Sequence, residues 1–224
     1  TNQGRVYRAK VHELPDAGRD ARGQHVANLL AFKPEETIAQ VLSFKDYNAA
    51  PFLILATKGG LIKKTPLIEY DSPRTGGLIA INLKPGDEVV SATLAANGDE
   101  ILLVSRKAMS LRFTCDDESL RSMGRSTSGV IGMKFREGDE LLTMSRVDGE
   151  NSFVFTATDG GYGKKTPIDE YRLQGRGGIG IKAAKIDEDS RGTLVSALVL
   201  IDSDEILAIT SAGTVMRTEA SEIR

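Results

Sequence analysis

The chain has no tryptophan, one cysteine, two histidines and no long apolar run, and each shortage closes off a class of function. Cys115 alone cannot build an internal disulfide framework, and a lone thiol fits a reducing cytosol. It sits among Thr114, Asp116 and Asp117, neighbours that raise a thiol pKa and so argue against a reactive cysteine. His12 and His25 stand 13 residues apart with no cysteine near either. Neither a zinc site nor a nucleophile–base pair has enough groups at workable spacing, and both histidines read as surface or partly packed side chains. No apolar stretch approaches the ~20 residues of a membrane-spanning helix. The first residues lack the order of a secretion signal. The acidic clusters at 116–118, 187–189 and 202–205 match no EF-hand loop and read as solvated turns. Acidic and basic residues nearly balance, 31 against 29, for a formal charge of −2. Bulk charge therefore selects neither nucleic acid nor membrane as a partner; distribution must decide.

What the chain has in quantity is glycine, 23 residues, and the glycines fall in a repeat. Four apolar segments align: Phe52–Thr57, Glu100–Ser105, Phe153–Thr158 and Glu205–Thr210. Each ends in Thr or Ser. Three residues later stands Gly60, Ala108, Gly161 or Gly213, and four further on a basic residue, Lys64, Arg112, Lys165 or Arg217. Thr1, Gly4 and Arg8 fit the second half of the same frame. The apolar segment has the pattern of a buried strand, the Gly position that of a hairpin turn, and the basic segment that of the return strand. An Arg/Gly-rich connection follows, at 18–23, 72–77, 124–129 and 174–178. Then come turn signals such as Lys84-Pro-Gly-Asp87, and a closing strand at 38–42, 89–93, 141–144 and 194–198.

One unit thus holds about four strands in about fifty residues, the sequence form of a propeller blade. No stretch sustains a 3.6-residue period, so very little helix is expected. The expected fold is all-β, a propeller-like ring of four-stranded blades forming one domain over 1–224. Its units fall near 1–50, 51–98, 99–150, 151–202 and a partial 203–224. The frame is cut at both ends, the pattern of a segment from a longer array.

Gly175, Gly177 and Gly180 satisfy G-x-G-x-x-G, yet a dinucleotide loop must follow a strand and open a helix. Here the preceding Pro167–Gln174 is turn-like and charged, and the residues after Gly180 soon reach an acidic run. The glycines are better placed in an inter-strand connection.

Basic residues recur in the same register. Arg5, Arg8 and Lys10 fall on the first return strand, Lys63 and Lys64 on the second, Arg112 on the third, Lys164 and Lys165 on the fourth, and Arg217 on the fifth. The connections add Arg19, Arg22, Arg74, Arg121, Arg125, Arg172 and Arg176, and Lys182 follows the last of them. Equivalent positions on a ring would gather these charges into a belt on one rim. A Lys/Arg belt without interleaved aromatics suits the phosphates of duplex DNA; single strands need stacking platforms. No recognition helix is visible, so DNA sequence would enter through deformability. Lys63, Lys64, Lys164 and Lys165 are expected to face DNA, and Arg176 to contact phosphate. The alternative is a propeller-like scaffold that captures a protein, whose binding would be insensitive to salt.

The stretches GRVYRAKVHELPDAGRDARGQHVANLL at 4–30, GGLIKKTPLIEYDSPRTGG at 59–77 and DGGYGKKTPIDEYRLQGRGGIG at 159–180 carry a resemblance. They resemble the C-terminal domains of DNA gyrase A subunits, and the SMGRSTSGVIGM stretch at 122–133 suggests the actinobacterial form. Topoisomerase IV subunits have a related domain. The resemblance implies a β-pinwheel, a propeller-like ring with strand exchange between blades, whose outer edge wraps duplex DNA in a right-handed sense. It implies partners: double-stranded DNA, the rest of the gyrase A protein, and an ATP-hydrolysing gyrase B protein in an A2B2 assembly that introduces negative supercoils in the cytoplasm. It implies no membrane partner, a monomeric isolated domain, and no catalytic group, metal or cofactor in this chain, with ATP and Mg2+ bound elsewhere in the enzyme. The family's signature box reads Q-R-R-G-G-K/R-G. Gln174, Gly175, Arg176, Gly177, Gly178, Ile179 and Gly180 match its frame, but Gly175 and Ile179 stand where basic residues are expected. This reads as a second, degenerate box, with the full box in a blade before Thr1.

Overall fold

The computed structural model describes residues 1–18, 21–149, 151–186 and 188–223. In chain order its strands are β1 (Arg5–Val6), β2 (Phe52–Thr57), β3 (Leu61–Pro66), β4 (Leu78–Ile79), β5 (Val89–Ala95), β6 (Asp99–Ser105), β7 (Met109–Cys115), β8 (Val130–Ile131), β9 (Leu141–Val147), β10 (Phe153–Thr158), β11 (Gly163–Pro167), β12 (Ile181–Lys182), β13 (Leu194–Leu200), β14 (Glu205–Ile209) and β15 (Val215–Glu219). The α-helix among the described residues is the 4-residue Glu188–Arg191. No helix among them is long and apolar enough to cross a membrane.

The Thr/Ser-x-x-Gly frame builds each hairpin turn through two hydrogen bonds. Gly60 N–H donates to Thr57 O at 2.9 Å, and Leu61 N–H donates to Thr57 Oγ1 at 3.1 Å. The same pair recurs from Gly4 and Arg5 to Thr1, from Ala108 and Met109 to Ser105, from Gly161 and Tyr162 to Thr158, and from Gly213 and Thr214 to Thr210. The hydroxyl is needed because the turn leaves one amide without a backbone acceptor. The glycine is needed because the position is left-handed: Gly60 has φ +83° and Gly161 +83°. Ala108 takes the same conformation at φ +56°.

Among the described residues two four-stranded blades have the order β5-β2-β3-β8 and β9-β6-β7-β12; the other sheets there are β13-β10-β11, β1-β4 and β14-β15. The outer strand of a blade comes from the next unit. Ile62 pairs with Val130, Ser110 with Ile181, and Val6 with Leu78. This exchange links neighbouring blades by backbone hydrogen bonds. The inner strands also meet: Ser91 Oγ on β5 donates to Met144 O on β9 at 3.0 Å.

Blades are covered on both faces, which is why β2 and β6 are continuous apolar runs rather than alternating ones. Leu53 and Leu55 of β2 face one cluster, with Leu67, Tyr70 and Ile81; Ile54 and Ala56 face another, with Ile101, Leu103 and Phe113 of the next blade. Leu102 and Val104 of β6 look the other way, toward Val154, Ile168 and Leu194. The period-2 rule thus serves two cores at once.

One expected strand is not formed. Residues 38–42 form no strand, Ala39 and Leu42 lean on the first cluster, and Val41 is 72% exposed. Its counterpart β5 is held by β2 of its own unit. Among the described residues no strand stands in that place, and a cavity of about 1180 Å³ lined by Tyr7, Leu42, Phe44, Leu53 and Leu55 lies there.

Candidate nucleic-acid interface

The rim is formed where each connection leaves the edge of the preceding blade and returns to it. Met123 N–H donates to Lys64 O at 2.8 Å, and Val130 then pairs with Ile62, so residues 124–129 bulge outward from β3. One unit on, Gln174 N–H donates to Arg112 O at 2.8 Å and Ile181 pairs with Ser110, so 175–180 bulge from β7. The last glycine of each bulge enforces the close return. A Cβ at Gly129 would meet Ile62 O at 2.6 Å, and one at Gly180 would meet Ser110 O at 2.1 Å. The final glycine of the box-like stretch is therefore required by packing against the preceding blade, not by a nucleotide.

The basic residues sort into two groups. The return-strand group is turned inward. Lys63 and Lys64 are both 0% exposed, which corrects the expectation that they face DNA. Burial follows from strand exchange: the incoming outer strand and connection cover the edge of β3, and neighbouring cores cover its faces. Lys64 Nζ donates to Asn97 Oδ1 at 2.8 Å and Asp117 Oδ1 at 2.7 Å, above the Phe52 ring at 4.7 Å. Lys63 Nζ donates to Ala80 O and Arg125 O. With no carboxylate in bonding reach among the described residues, burial pushes its pKa down to about 8, a trend opposed by Glu69 and reinforced by Arg125.

The position of Lys64 is a latch in the next two units as well. Arg112 Nε donates to Glu100 Oε2 at 2.6 Å, and its Nη1 to Ile168 O at 2.8 Å and Tyr171 O at 3.1 Å. Lys165 Nζ donates to Asp202 Oδ1 and Ala220 O, each at 2.8 Å, above the Phe153 ring at 4.6 Å. Arg217 pairs with Glu205 and Arg8 with Asp71, both in the open. Arg112 and Lys165 are thus withdrawn from the role expected of them: their guanidinium or ammonium closes the blade. Arg5 is half-buried, donating to Tyr7 Oη at 3.3 Å and to Gly76 O and Gly77 O of the connection.

Connection arginines 125 and 176 are half-buried and donate to backbone carbonyls; Arg176 Nε reaches Ser119 O at 2.7 Å. The second group is free. Lys10, Arg22, Arg74, Arg121, Lys164, Arg172 and Lys182 are exposed, and their side chains have no partner among the described residues. Arg121 and Arg172 are equivalent, each just before the residue that bridges to the preceding return strand, Ser122 to Lys64 and Leu173 to Arg112. Arg19 lies outside the described residues. Ile179 is 41% exposed and points no charge outward.

Sequence reasoning missed Lys134 and Lys185. Both are exposed, and their side chains have no partner among the described residues. Each stands four residues after the start of an outer strand, and Lys134 N–H donates to Gly178 O at 2.8 Å, which seats it beside the box-like connection of the next unit. The shared offset was the available signal. Cys115 is buried, and its thiol is pushed up to about 11, first by burial and then by Asp99, Asp116 and Asp117, against the pull of Lys64. The described residues hold no cluster of metal-ligating side chains.

A family model described as the DNA gyrase C-terminal domain, beta-propeller, matches residues 1–45, 51–96, 99–148, 152–200 and 204–224. The chain is 65% identical over 229 residues to the DNA gyrase A protein of Streptomyces coelicolor, covering 100% of this chain and 26% of that one. It is 53% identical to the DNA gyrase A protein of Mycobacterium tuberculosis H37Rv, with the same coverage. The chain therefore spans about a quarter of the length of these relatives. Among solved structures it is similar to the C-terminal domain of DNA topoisomerase IV, with a TM-score of 0.86 at 28% identity over 100% of this chain and 69% of that one. It is also similar to a DNA gyrase A C-terminal domain, with a TM-score of 0.84 at 27% identity over 98% and 70%.

Proposed function

The chain belongs to the DNA gyrase C-terminal domain family, and we propose that its outer rim binds the phosphates of duplex DNA and bends the duplex along successive blades. The observation that carries this reading is the recurrence of free cations in register beside the exchanged outer strands: Arg121 with Arg172, and Lys134 with Lys185. Arg74 and Lys182 extend the set. Ion-paired cations have little left to offer a phosphate, whereas free ones release DNA counterions on binding. Bending a 20–30 bp site by 40–90° costs about 1–6 kcal/mol, so contacts must be spread along the path rather than gathered at one point. Such contacts carry no base code.

In a whole gyrase A protein this rim would wrap duplex DNA in a right-handed sense and present a neighbouring segment for strand passage. Supercoiling itself would belong to the complete enzyme, an ATP-dependent type II topoisomerase formed with gyrase B as A2B2 in the cytoplasm; this chain supplies an accessory DNA-handling part. The reading as a gyrase is supported by the 65% identity over the whole chain to a DNA gyrase A protein; the two solved structures, at 28% and 27%, do not separate gyrase from topoisomerase IV. Affinity for a 30 bp duplex, measured from 50 to 200 mM salt, tests the reading. We expect a fall of roughly 10³-fold or more for six phosphate contacts. Binding that ignores salt would support a protein-binding scaffold instead.

A further inference from the structure

Successive rim connections are bonded to each other as well as to the strands they cover. Asn82, just after β4, donates its N–H to Thr127 O at 3.0 Å and its Nδ2 to Ser126 O at 2.5 Å. One unit on, Lys134 N–H donates to Gly178 O at 2.8 Å, and Gly177 N–H to Gly132 O at 2.7 Å. Each junction also carries one arginine. Arg125, four residues before Gly129, donates from Nη1 to Ile79 O, at the end of β4, at 3.0 Å. Arg176, four residues before Gly180, donates from Nη1 to Ile131 O, at the end of β8. The same guanidinium atom at the same register position grips the same carbonyl of the preceding outer strand, twice. Arg176 adds a second carbonyl, Ser119 O.

The contact is thus repeated at two junctions of the chain. At Arg176 the rigid planar fork meets two carbonyls at fixed angles, and at Arg125 it holds one, where lysine would offer a point charge on a flexible stem. The grip crosses from one unit's connection to the outer strand of the connection before it. It acts beside the backbone bonds that join the same two connections.

We infer that Arg125 and Arg176 are positioning residues that fix the angle between successive rim connections, and thereby the curvature the rim imposes on a bound duplex. Phosphate contact falls to the free cations beside them, Arg121, Lys134 and Arg172. The curvature half of this inference rests on the DNA-binding reading above; the grip itself does not.

The test separates charge from fork. Arg125→Lys with Arg176→Lys keeps both charges and loses the planar fork; Arg125→Gln with Arg176→Gln loses both charges. In the free protein, amide exchange at Asn82, Lys134 and Gly177 should quicken about tenfold in the Lys variant, the scale of one lost charge-assisted hydrogen bond. On an end-labelled 30 bp duplex, energy transfer between the ends should fall toward the unbent value in the Lys variant. Duplex affinity should stay within about threefold, and the salt slope of the Gln variant should be unchanged. Wild-type exchange in the free Lys variant overturns the grip whether or not DNA binds. A Gln salt slope reduced by about one unit per arginine, with wild-type bending in the Lys variant, overturns the inference and makes both residues phosphate contacts. If exchange quickens but no protein, wild type included, binds duplex, the grip stands and the curvature half falls with the DNA reading.

Discussion

Lys64 Nζ lies 2.7 Å from Asp117 Oδ1, in an ion pair whose lysine is wholly buried and whose aspartate is 65% exposed. The geometry is that of a latch closed from outside: the charge sits under the blade surface, and its counter-charge caps it from solvent. Removing the cap should hurt more than removing the whole device. Asp117→Ala should destabilise the fold by about 2–3 kcal/mol, because a buried ammonium keeps only Asn97 and the Phe52 ring. Adding Lys64→Met should recover part of that loss. Urea midpoints for the two single variants and the double variant check this.

Lys63 makes stability depend on pH in a chosen direction. Its folded pKa is about 8, below the ordinary lysine value, so the unfolded chain binds the extra proton between those two pH values. Burial of Lys63 therefore weakens the fold below about pH 8, and stability should rise as the pH climbs from there toward ~10.4. In Lys63→Met the rise over that window should shrink. Denaturant midpoints at half-unit pH steps, compared between the two proteins, measure the difference.

The hairpin frame tolerates alanine at one position and not at its equivalent. A Cβ at Gly60 would meet Met133 O at 2.5 Å, with φ at +83°. Gly60→Ala should cost about 2–4 kcal/mol from strain and collision together. Ala108→Gly relieves a left-handed alanine at φ +56° but loses a buried methyl, and should stay within about 1 kcal/mol of the parent. Thermal unfolding of both variants decides this.

Cys115 should behave as a core residue. Buried and with its thiol near pKa 11, it should resist alkylation at pH 8 until the fold opens. Its modification rate should track denaturant concentration. Labelling at the native rate of a free thiol would place Cys115 at the surface.

The hairpins were legible because their cause is local: a hydroxyl and a left-handed residue three positions apart, repeated at Thr57 and Gly60, Thr158 and Gly161, Thr210 and Gly213. Strand exchange was less so from residues alone. β8 and β12 are two-residue strands whose partners lie in the previous unit, and no short pattern records that. The fate of the recurring basic residues depended on it. Lys64, Arg112 and Lys165 look alike in sequence whether they face solvent or an acceptor, and the acceptors that hold them lie far along the chain: Asp117 for Lys64, the carbonyls of Ile168 and Tyr171 for Arg112, and Asp202 with the Ala220 carbonyl for Lys165. Lys164 shows the same dependence from the other side. It matches Lys63 in register, yet it is exposed, because no outer strand pairs with β11 among the described residues.

Free cations of the connections are proposed to meet DNA, while latched cations of the return strands hold blades together. The most direct measurement of this division is the slope of log K against log salt for duplex binding in three proteins. They are the parent, a rim variant with Arg74, Arg121, Lys134 and Arg172 all changed to Ala, and a latch variant with Arg112→Met and Glu100→Gln. The rim variant should keep its thermal stability and lose about 3–4 units of slope. The latch variant should be less stable, with the parent slope at a temperature where it is folded. A parent slope in the rim variant, or a reduced slope in the folded latch variant, would contradict the division.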